Sequence, residues 1–439
     1  MVVQSRLRSA THCFSLFSLF ATFFQPNREF YSIDPSRIYH IESRFTLTEM
    51  SVEYKDLETR FRRLRTHGTG DGPSSKTKLV IGIDFGTTYT GVAYSHISTD
   101  NINSNTSWTL EQIRDKIIAI KQWPHADPMY PEKAPTVLAY ENGVPIAWGG
   151  GVKQNHAIQV ANFKLGLQES VAKHYNAKTL IGAALSILGG FLTDHQWRHP
   201  DLPRKQPVDF AADYLKAIRE YVMDVALTNH FGREFLDKQP IQYVITVPAI
   251  WSDKAKDLTR EAAVRAGIPM KGLSLVTEPE AAALYCSTLC NEVDLNDGDC
   301  FLICDAGGGT VVCPCYPTLK EQDLISYQII TKNPFHIKEC TAGTGGACGA
   351  VYLTRNFEGF IYKRLGSRKD VLTGKMLSNA VRSFEGAIKF QFDPYSDDGN
   401  LEYEIPLRGA PDMPNIGLED GYLKVSRYPI SFLPDLMKE

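Results

Sequence analysis

Asp84 and the glycine-rich turn after it are the residues of this sequence best suited to binding a phosphate group. Asp84 lies at the end of an apolar run over 79–85, and Gly86, Thr87 and Thr88 come next. Such a turn lets backbone N–H groups converge on an anion, while threonine hydroxyls add uncharged donors. A carboxylate beside the turn can hold a hydrated divalent cation near the phosphates. The pattern therefore predicts a combined phosphate and cation site.

A second segment repeats this pattern later in the chain. The apolar run over 301–304 is followed by Asp305, a glycine-rich turn over 306–309 and Thr310. One such hairpin is weak evidence, because glycine turns join strands in many proteins. Two copies indicate two related lobes that face each other across one nucleotide. The sequence has neither a P-loop motif nor a strand-linked G-x-G-x-x-G motif, which disfavours the P-loop and Rossmann folds.

The sequence between the two turns predicts the elements that must position them. In chain order these are a helix over 207–227, a strand over 241–248, a helix from Ser252 or Asp253 to Arg265 that ends near Gly267, a strand over 274–276, and a helix that begins with a capping box at 277–280. Strands and helices alternate, so the predicted fold class is α/β.

Composition restricts the possible functions. The 439 residues are 43% hydrophobic and 22% charged, which is typical of a globular chain of two or three domains. The formal net charge of −3 gives no electrostatic basis for binding nucleic acid. Nine cysteines in a chain of this length do not form a small secreted disulfide framework, so a reducing, cytoplasmic location is predicted.

The N-terminal segment leaves alternatives for localisation. Its first 28 residues contain three arginines and no acidic residue, and the apolar run over 13–24 is too short to cross a bilayer. This composition fits a mitochondrial or a secretory targeting segment, and it also fits a chain that truly begins at Met50. Residues 1–78 are therefore assigned to an N-terminal extension and linker, with the alternative that the mature protein lacks it.

Four motifs in order resemble the nucleotide-binding domain of the 70-kDa heat-shock protein family. They lie at 81–92, 247–253, 277–283 and 305–310, within a resemblance that covers 79–393. The segments 250–256 and 343–349 are closest to the divergent fungal branch of that family. The resemblance implies an actin-like ATPase fold with ribonuclease H-like duplicated lobes, and ATP with Mg²⁺ in the cleft between them.

The same resemblance implies roles for single residues. The first phosphate motif matches Asp84, Gly86, Thr87, Thr88 and Tyr89, and the second matches Asp305, Gly307, Gly308, Gly309 and Thr310. Asp84 and Asp305 would hold the metal through water. Glu278 would organise metal-bound water, and Lys164 would contact phosphate, which completes the implied catalytic set.

Further matches concern the adenosine side and the relay of nucleotide state. Gly345, Gly346, Glu385 and Lys389 match adenosine-side positions, and Phe390 stands where an arginine might be expected to stack on adenine. Pro248 and Lys256 match positions that relay the nucleotide state in the family.

The sequence departs from the family after the second turn. Residues 312–322 contain Pro314 and Pro317 where the partner strand of a hairpin is needed, and proline cannot occupy a central strand. These eleven residues are interpreted as an insert, either a loop or a retained intron. A metal or redox role for Cys313 and Cys315 is disfavoured, because a second pair of ligands is missing. The insert displaces the expected aspartate to Asp323. Loss of that aspartate from the site would impair ATP hydrolysis even where ATP still binds.

The predicted domains are a first lobe at 79–299 and a second lobe at 300–439. The second lobe is expected to be incomplete, since no later Gly-Gly-x-[ST] adenosine loop follows. ATPase activity is conditional on a complete second lobe in the true product.

The leading expectation is a heat-shock-70-like protein in which slow hydrolysis of Mg-ATP drives lobe closure. The role would be chaperone-like, with client proteins or co-chaperones as partners. The alternatives are a non-hydrolysing nucleotide-binding interaction protein and a small-molecule kinase of the same superfamily.

Overall fold

The computed structural model of the chain describes residues 77–98, 115–126, 131–153, 155–169, 202, 204–287, 296–304, 307–308, 324–332, 335–340, 349–389 and 402–426. The predictions for the N-terminal extension, the insert at 312–322 and the C-terminal tail lie outside these residues. The same holds for the predictions on Asp305, Gly309, Thr310, Asp323, Gly345, Gly346 and Phe390.

The described strands are β1 Thr77–Phe85, β2 Tyr89–Ser98, β3 Ile118–Ala119, β4 Lys133–Pro135, β5 Val137–Glu141, β6 Val144–Trp148, β7 Ile158–Ala161, β8 Ile241–Val247, β9 Leu273–Thr277, β10 Cys300–Cys304, β11 Leu324–Lys332, β12 Phe335–Glu339, β13 Glu402–Pro406, β14 Leu418–Glu419 and β15 Tyr422–Ser426. The described α-helices are α1 Pro207–Tyr221, α2 Thr228–Phe231, α3 Arg233–Asp237, α4 Asp253–Arg265, α5 Glu278–Ser287, α6 Ala350–Leu365 and α7 Gly374–Ser383.

A six-stranded sheet carries the first glycine-rich turn. Its strand order is β3-β2-β1-β8-β9, and β4 pairs with a separate part of β2. Strand β2 returns antiparallel to β1, whereas β8 and β9 extend the sheet in parallel. Alternate residues of β1, namely Leu79, Ile81 and Ile83, are buried, as the two-residue period of a strand requires. Parallel strands joined through helices confirm the predicted mixed α/β class, and the duplication of lobes stays a prediction.

Further sheets have three strands each. Strands β5, β6 and β7 pair in the order β6-β5-β7, and β13, β14 and β15 pair in the order β13-β15-β14. Strands β10, β11 and β12 form an antiparallel sheet in sequence order. Strand β10 leads into the second glycine-rich turn, so each predicted phosphate turn follows the first strand of its own sheet.

The predicted helices are present, and α4 and α5 have the predicted caps. The Ser252 hydroxyl accepts a hydrogen bond from the Ala255 N–H at the start of α4, and Gly267 adopts a positive φ of 86° after its end. At the start of α5, the Glu280 N–H donates to the Thr277 hydroxyl and the Thr277 N–H donates to the Glu280 carboxylate. This reciprocal pair is the predicted capping box.

The observed elements differ from the expected ones in two places. Strand β8 ends at Val247 rather than at Pro248, because proline has no N–H for the ladder. Helix α1 ends at Tyr221, and the rest of the predicted helix is the π-helical segment Val222–Leu227. Later in the chain, α7 likewise continues directly as a second π-helical segment, Phe384–Ile388.

Separate buried clusters stabilise two parts of the described chain. The largest cluster joins β1, β2 and β8 to α1 and α4. Another cluster joins α6 and α7 to the sheet of β13, β14 and β15. Ala282 and Ala283 of α5 pack against Ile303 of β10 and Tyr327 of β11. Helix α5 therefore leaves the first sheet at β9 and packs on the sheet that holds the second turn.

Candidate functional site

The first turn is tight enough to require glycine at its first position. The Gly86 N–H donates to the Asp84 carbonyl oxygen over 3.1 Å. A Cβ atom placed on Gly86 would overlap the carbonyl oxygen of Tyr89, which is backbone and cannot move aside. The turn between β1 and β2 therefore has room only for a residue without a side chain.

Strand β4 holds this turn through Thr136, the residue that follows it. The Thr136 N–H donates to the carbonyl oxygen of Thr88 over 2.7 Å, and the Thr136 hydroxyl donates to that of Gly86 over 2.9 Å. The hydroxyls of Thr136 and Thr90 are also 2.9 Å apart. Two carbonyl groups of the turn are thus bonded to one threonine, which fixes the backbone before any ligand binds.

Asp84 is buried and has donors on both carboxylate oxygens. Its Oδ2 atom lies 3.0 Å from the Lys133 ammonium, and its Oδ1 atom accepts a hydrogen bond of 3.1 Å from the Thr246 hydroxyl. Lys133 is placed there because it pairs with Gly91 across β4 and β2. Thr246 is placed there by β8, the parallel neighbour of β1.

A second lysine–carboxylate pair joins Lys164 to Glu278 over 2.5 Å. The Lys164 side chain is only 2% exposed, and its ammonium lies 5.6 Å from the ring centre of Phe85 and 5.4 Å from that of Trp251. Glu278 is the first residue of α5, where the helix dipole favours a carboxylate. Two residues predicted to act in catalysis are therefore in direct contact.

The two glycine-rich turns are in contact with each other. Of the second turn, Gly307 and Gly308 are described, and a Cβ atom on Gly308 would lie 2.5 Å from the hydroxyl oxygen of Thr88. The carbonyl oxygens of Gly307 and Gly308 accept hydrogen bonds from the N–H groups of Ala350 and Val351, at the start of α6. The structure thus brings the predicted phosphate turns together, and their binding roles stay predictions.

Of the residues predicted for the adenosine side, Glu385 and Lys389 are described, and they meet at the start of α6. The Lys389 ammonium donates to the Ala350 carbonyl oxygen over 3.0 Å and to the Thr354 hydroxyl over 2.7 Å. The Thr354 hydroxyl donates to Glu385 over 2.8 Å. Burial lowers the pKa of Lys389, and the nearby Glu385 carboxylate opposes this effect. The start of α6 thus connects the second turn to the predicted adenosine side.

Sequence patterns missed several residues at these sites. Lys133, Thr136 and Thr246 take part only because tertiary pairing brings their strands to the turn. A lone lysine in a three-residue strand has no spacing signal. Glu358 of α6 was also missed, although burial raises its pKa to about 7, with a smaller contribution from Glu385 and an opposing one from Arg355. Amphipathic helical spacing could at least have placed Glu358 on a partly buried face.

The described residues contain no cluster of three or more histidine, cysteine, aspartate or glutamate side chains suited to a metal ion. The predicted metal pair lies only half within them, since Asp84 is described and Asp305 is not. No helix in the described part of the chain is long and apolar enough to cross a membrane.

Comparison with known proteins gives similarities to 70-kDa heat-shock proteins. Heat shock 70 kDa protein 12A of Homo sapiens is 25% identical over 345 residues, which cover 66% of this chain and 46% of that protein. Heat shock 70 kDa protein 12B of Homo sapiens is 24% identical over 216 residues, covering 48% of this chain and 28% of that protein. Chaperone protein HscA of Proteus mirabilis is 30% identical over 170 residues, which cover 35% of this chain and 25% of that protein.

The chain spans less than half the length of the curated relatives it matches. No family model matches the chain. The similarities support the predicted relationship to heat-shock-70-like ATPases, while the fungal branch stays a prediction.

Proposed function

We propose that this chain binds Mg-ATP between its two glycine-rich turns and hydrolyses it slowly, with closure of two lobes around the nucleotide. The observation that carries the proposal is the contact between the turns, in which Gly308 lies against Thr88. Glycine-rich turns can present backbone N–H groups to anions, so two such turns in contact are suited to a chain of phosphates. The similarity to heat-shock-70 proteins supports ATP as the nucleotide.

The side chains around the first turn fit the chemistry of phosphoryl transfer. That reaction depends mainly on positioning and on charge stabilisation. Asp84 and Glu278 supply the carboxylate oxygens that magnesium prefers, so the donor types fit a hydrated ion, with Asp305 as the second predicted ligand. When bound, magnesium would neutralise part of the phosphate charge. Glu278 would hold a water for attack, and Lys164 would hold Glu278 in place through their 2.5 Å ion pair.

A chaperone-like role follows from the same similarity and belongs to the proposal. The bacterial relatives are described as chaperones, and they match this chain over a quarter of their length. Closure of the lobes would transmit the nucleotide state to client proteins or co-chaperones. Pro248 and Lys256, at the N-terminal side of α4, would relay this state.

Nucleotide binding without hydrolysis is the second candidate function, and strand register favours it. Cys304 of β10 pairs with Leu324 of β11, so nineteen residues separate the paired positions of this hairpin. In the first hairpin Ile83 pairs with Val92, and eight residues separate them. The longer connection would displace Asp323 from the second turn and weaken hydrolysis while ATP still binds.

Glu278→Gln distinguishes these two functions in the purified full-length chain. We expect ATP affinity within about threefold of wild type and phosphate release lowered at least about tenfold, because the amide cannot hold the attacking water as a carboxylate does. Calorimetric titration and a phosphate-release assay give both quantities. Asp84→Asn should lower Mg-ATP affinity as well.

Glu261→Gln is the matched control, since Glu261 forms a surface pair with Arg265 on α4. Its affinity and turnover should equal those of wild type. Tight ATP binding with no turnover in the wild type would establish the second function. Phosphate transfer to an added sugar would instead support a kinase. No nucleotide binding by the wild type would refute the proposed site.

A further inference from the structure

Lys133 is the lysine beside the first turn that retains access to solvent. Its side chain is 14% exposed, whereas that of Lys164 is 2% exposed. The Lys164 ammonium is enclosed by Glu278 and by the rings of Phe85 and Trp251. Within the described part of the chain, the Lys133 ammonium is bonded only to Asp84. A ligand at the turn can therefore reach Lys133 without opening the Lys164 pair.

Lys133 also stands where the expected metal would need negative charge. Asp84 is the described carboxylate next to the turn, and its Oδ2 atom is 3.0 Å from the Lys133 ammonium. A unit positive charge at this distance from the carboxylate weakens its attraction for a second cation. The donor types suit hydrated magnesium, but this carboxylate is already neutralised by the protein.

An ammonium carries three N–H donors, so Lys133 can bond a phosphate without leaving Asp84. Breaking a buried ion pair is costly mainly because one charge is left uncompensated. A phosphate oxygen would accept from a second donor of Lys133, and Asp84 would keep both the Lys133 ammonium and its 3.1 Å hydrogen bond from the Thr246 hydroxyl. Strand β4 is already bonded to the turn through Thr136, so Lys133 starts from a fixed backbone.

We propose that Lys133 is a phosphate-binding residue whose ammonium stays paired with Asp84 and also bonds the phosphates of an entering nucleoside triphosphate, so that the site binds nucleotide with weak dependence on magnesium. This inference rests on the proposed nucleotide site. It concerns which cation neutralises the phosphates, and it assigns this work to a lysine that sequence patterns did not identify.

The test is ATP affinity of the full-length chain with magnesium and with EDTA. In the wild type we expect the two dissociation constants to differ by less than about tenfold. In Lys133→Gln the dissociation constant in EDTA should rise by about tenfold or more, because a charge-assisted bond is lost where no other cation compensates. In magnesium the dissociation constant of the same variant should differ from that of wild type by less than about threefold.

Two further variants separate charge from structure. Lys133→Arg keeps the positive charge and should restore affinity in EDTA. Lys205→Gln is the matched control, because Lys205 also forms a partly buried pair, 2.6 Å from Asp213. It should leave both dissociation constants unchanged. Thermal midpoints verify that each variant is folded.

Amine-specific labelling of the wild type supplies a measurement that needs no variant. ATP in EDTA should protect Lys133 from labelling, as read by mass spectrometry, while Lys205 is labelled equally with and without ATP. Equal labelling of Lys133 in both conditions would overturn the inference. So would magnesium-dependent binding that Lys133→Gln does not alter, with the nucleotide site still standing. A wild type that binds ATP in neither condition refutes the proposed function itself.

Discussion

Charged residues inside this protein are distinguished by what neutralises them. Asp84 and Glu278 each face a lysine ammonium, at 3.0 Å and 2.5 Å. Glu358 of α6 is different, because Arg355 only partly offsets the effect of burial and Glu385 adds to it. The result is a carboxyl group whose pKa is raised from 4.5 to about 7. Such a group is protonated in the fold at a pH where it is ionised in the unfolded chain.

Glu358 should therefore make stability fall as pH rises. The contribution of protonated Glu358 is fully present below its unfolded pKa of 4.5, and it is lost as pH rises through about 7. We expect Glu358→Gln to remove this loss, so that the variant gains up to about 3 kcal/mol relative to wild type between pH 5 and pH 8. Urea unfolding at both pH values measures the difference.

Glu402 is exposed, so Glu402→Gln serves as the control and should show no such gain in stability relative to wild type between the two pH values. Burial raises the pKa of Tyr362, and the Glu358 charge adds to this effect, so far-UV circular dichroism is preferable to tyrosine absorbance as the probe. An equal response of Glu358→Gln and wild type at both pH values would contradict a raised pKa.

Elements with local signals were predictable from the sequence, and those that depend on distant pairing were not. The two strands before the turns and helices α1, α4 and α5 follow from residue spacing, and the caps of α4 and α5 follow from their capping residues. Strands β3 and β4 have two and three residues, and they exist because β2 offers them an edge. Lys133 lies on such a strand, so its contact with Asp84 could not be read from local sequence.

The register of the two hairpins supports the predicted insert at the level of elements. Eight residues lie between Ile83 and Val92, and nineteen lie between Cys304 and Leu324. The surplus of eleven equals the length of 312–322, the segment that the two prolines and the departure from the family pattern mark as an insert. Both hairpins would have equal connections without that segment.

Deletion of 312–322 should therefore leave the sheet of β10, β11 and β12 folded. The shorter connection lowers the entropy cost of closure by about 0.8 kcal/mol, so the thermal midpoint should not fall. ATP binding should be retained, because the turn at 306–309 is untouched. Circular dichroism and ATP titration measure both properties.

Deletion of 306–316 removes the same number of residues from the same connection and is the matched control. It shortens the loop equally but takes away the glycine turn, so we expect a folded chain that no longer binds ATP. Loss of the sheet in the 312–322 deletion would show that these residues are an integral part of the fold.

At the scale of the whole molecule, separate cores predict separate unfolding. The core around β1, β8 and α1 and the core around α6, α7 and β15 consist of different residues. All five tryptophans lie before residue 252, so tryptophan fluorescence reports on the part of the chain that holds the first core and not on the second core. Circular dichroism reports on both cores. The two probes should give different unfolding midpoints, as in a chain that is not two-state.

Two phenylalanine variants test this independence. Phe357 stacks on Phe384 with ring centres 4.1 Å apart in the second core, and Phe210 is fully buried in the first. Each change to alanine should cost about 3–5 kcal/mol. Phe357→Ala should lower the circular dichroism transition and leave the fluorescence midpoint in place, whereas Phe210→Ala should lower the fluorescence midpoint. A fluorescence shift in Phe357→Ala would indicate one cooperative unit.

The hydrogen bonds from Ala350 and Val351 attach the N-terminus of helix α6 to the second turn, so a rotation of that turn would tilt the whole helix. Its 16 residues extend about 24 Å at the usual rise of 1.5 Å per residue. The attachment point is the backbone of Gly307 and Gly308, and Gly308 lies against Thr88 of the first turn. A tilt of about 5° there would sweep the far end of the helix through about 2 Å. A small rotation at the second turn would therefore produce a larger displacement at the C-terminal end of α6.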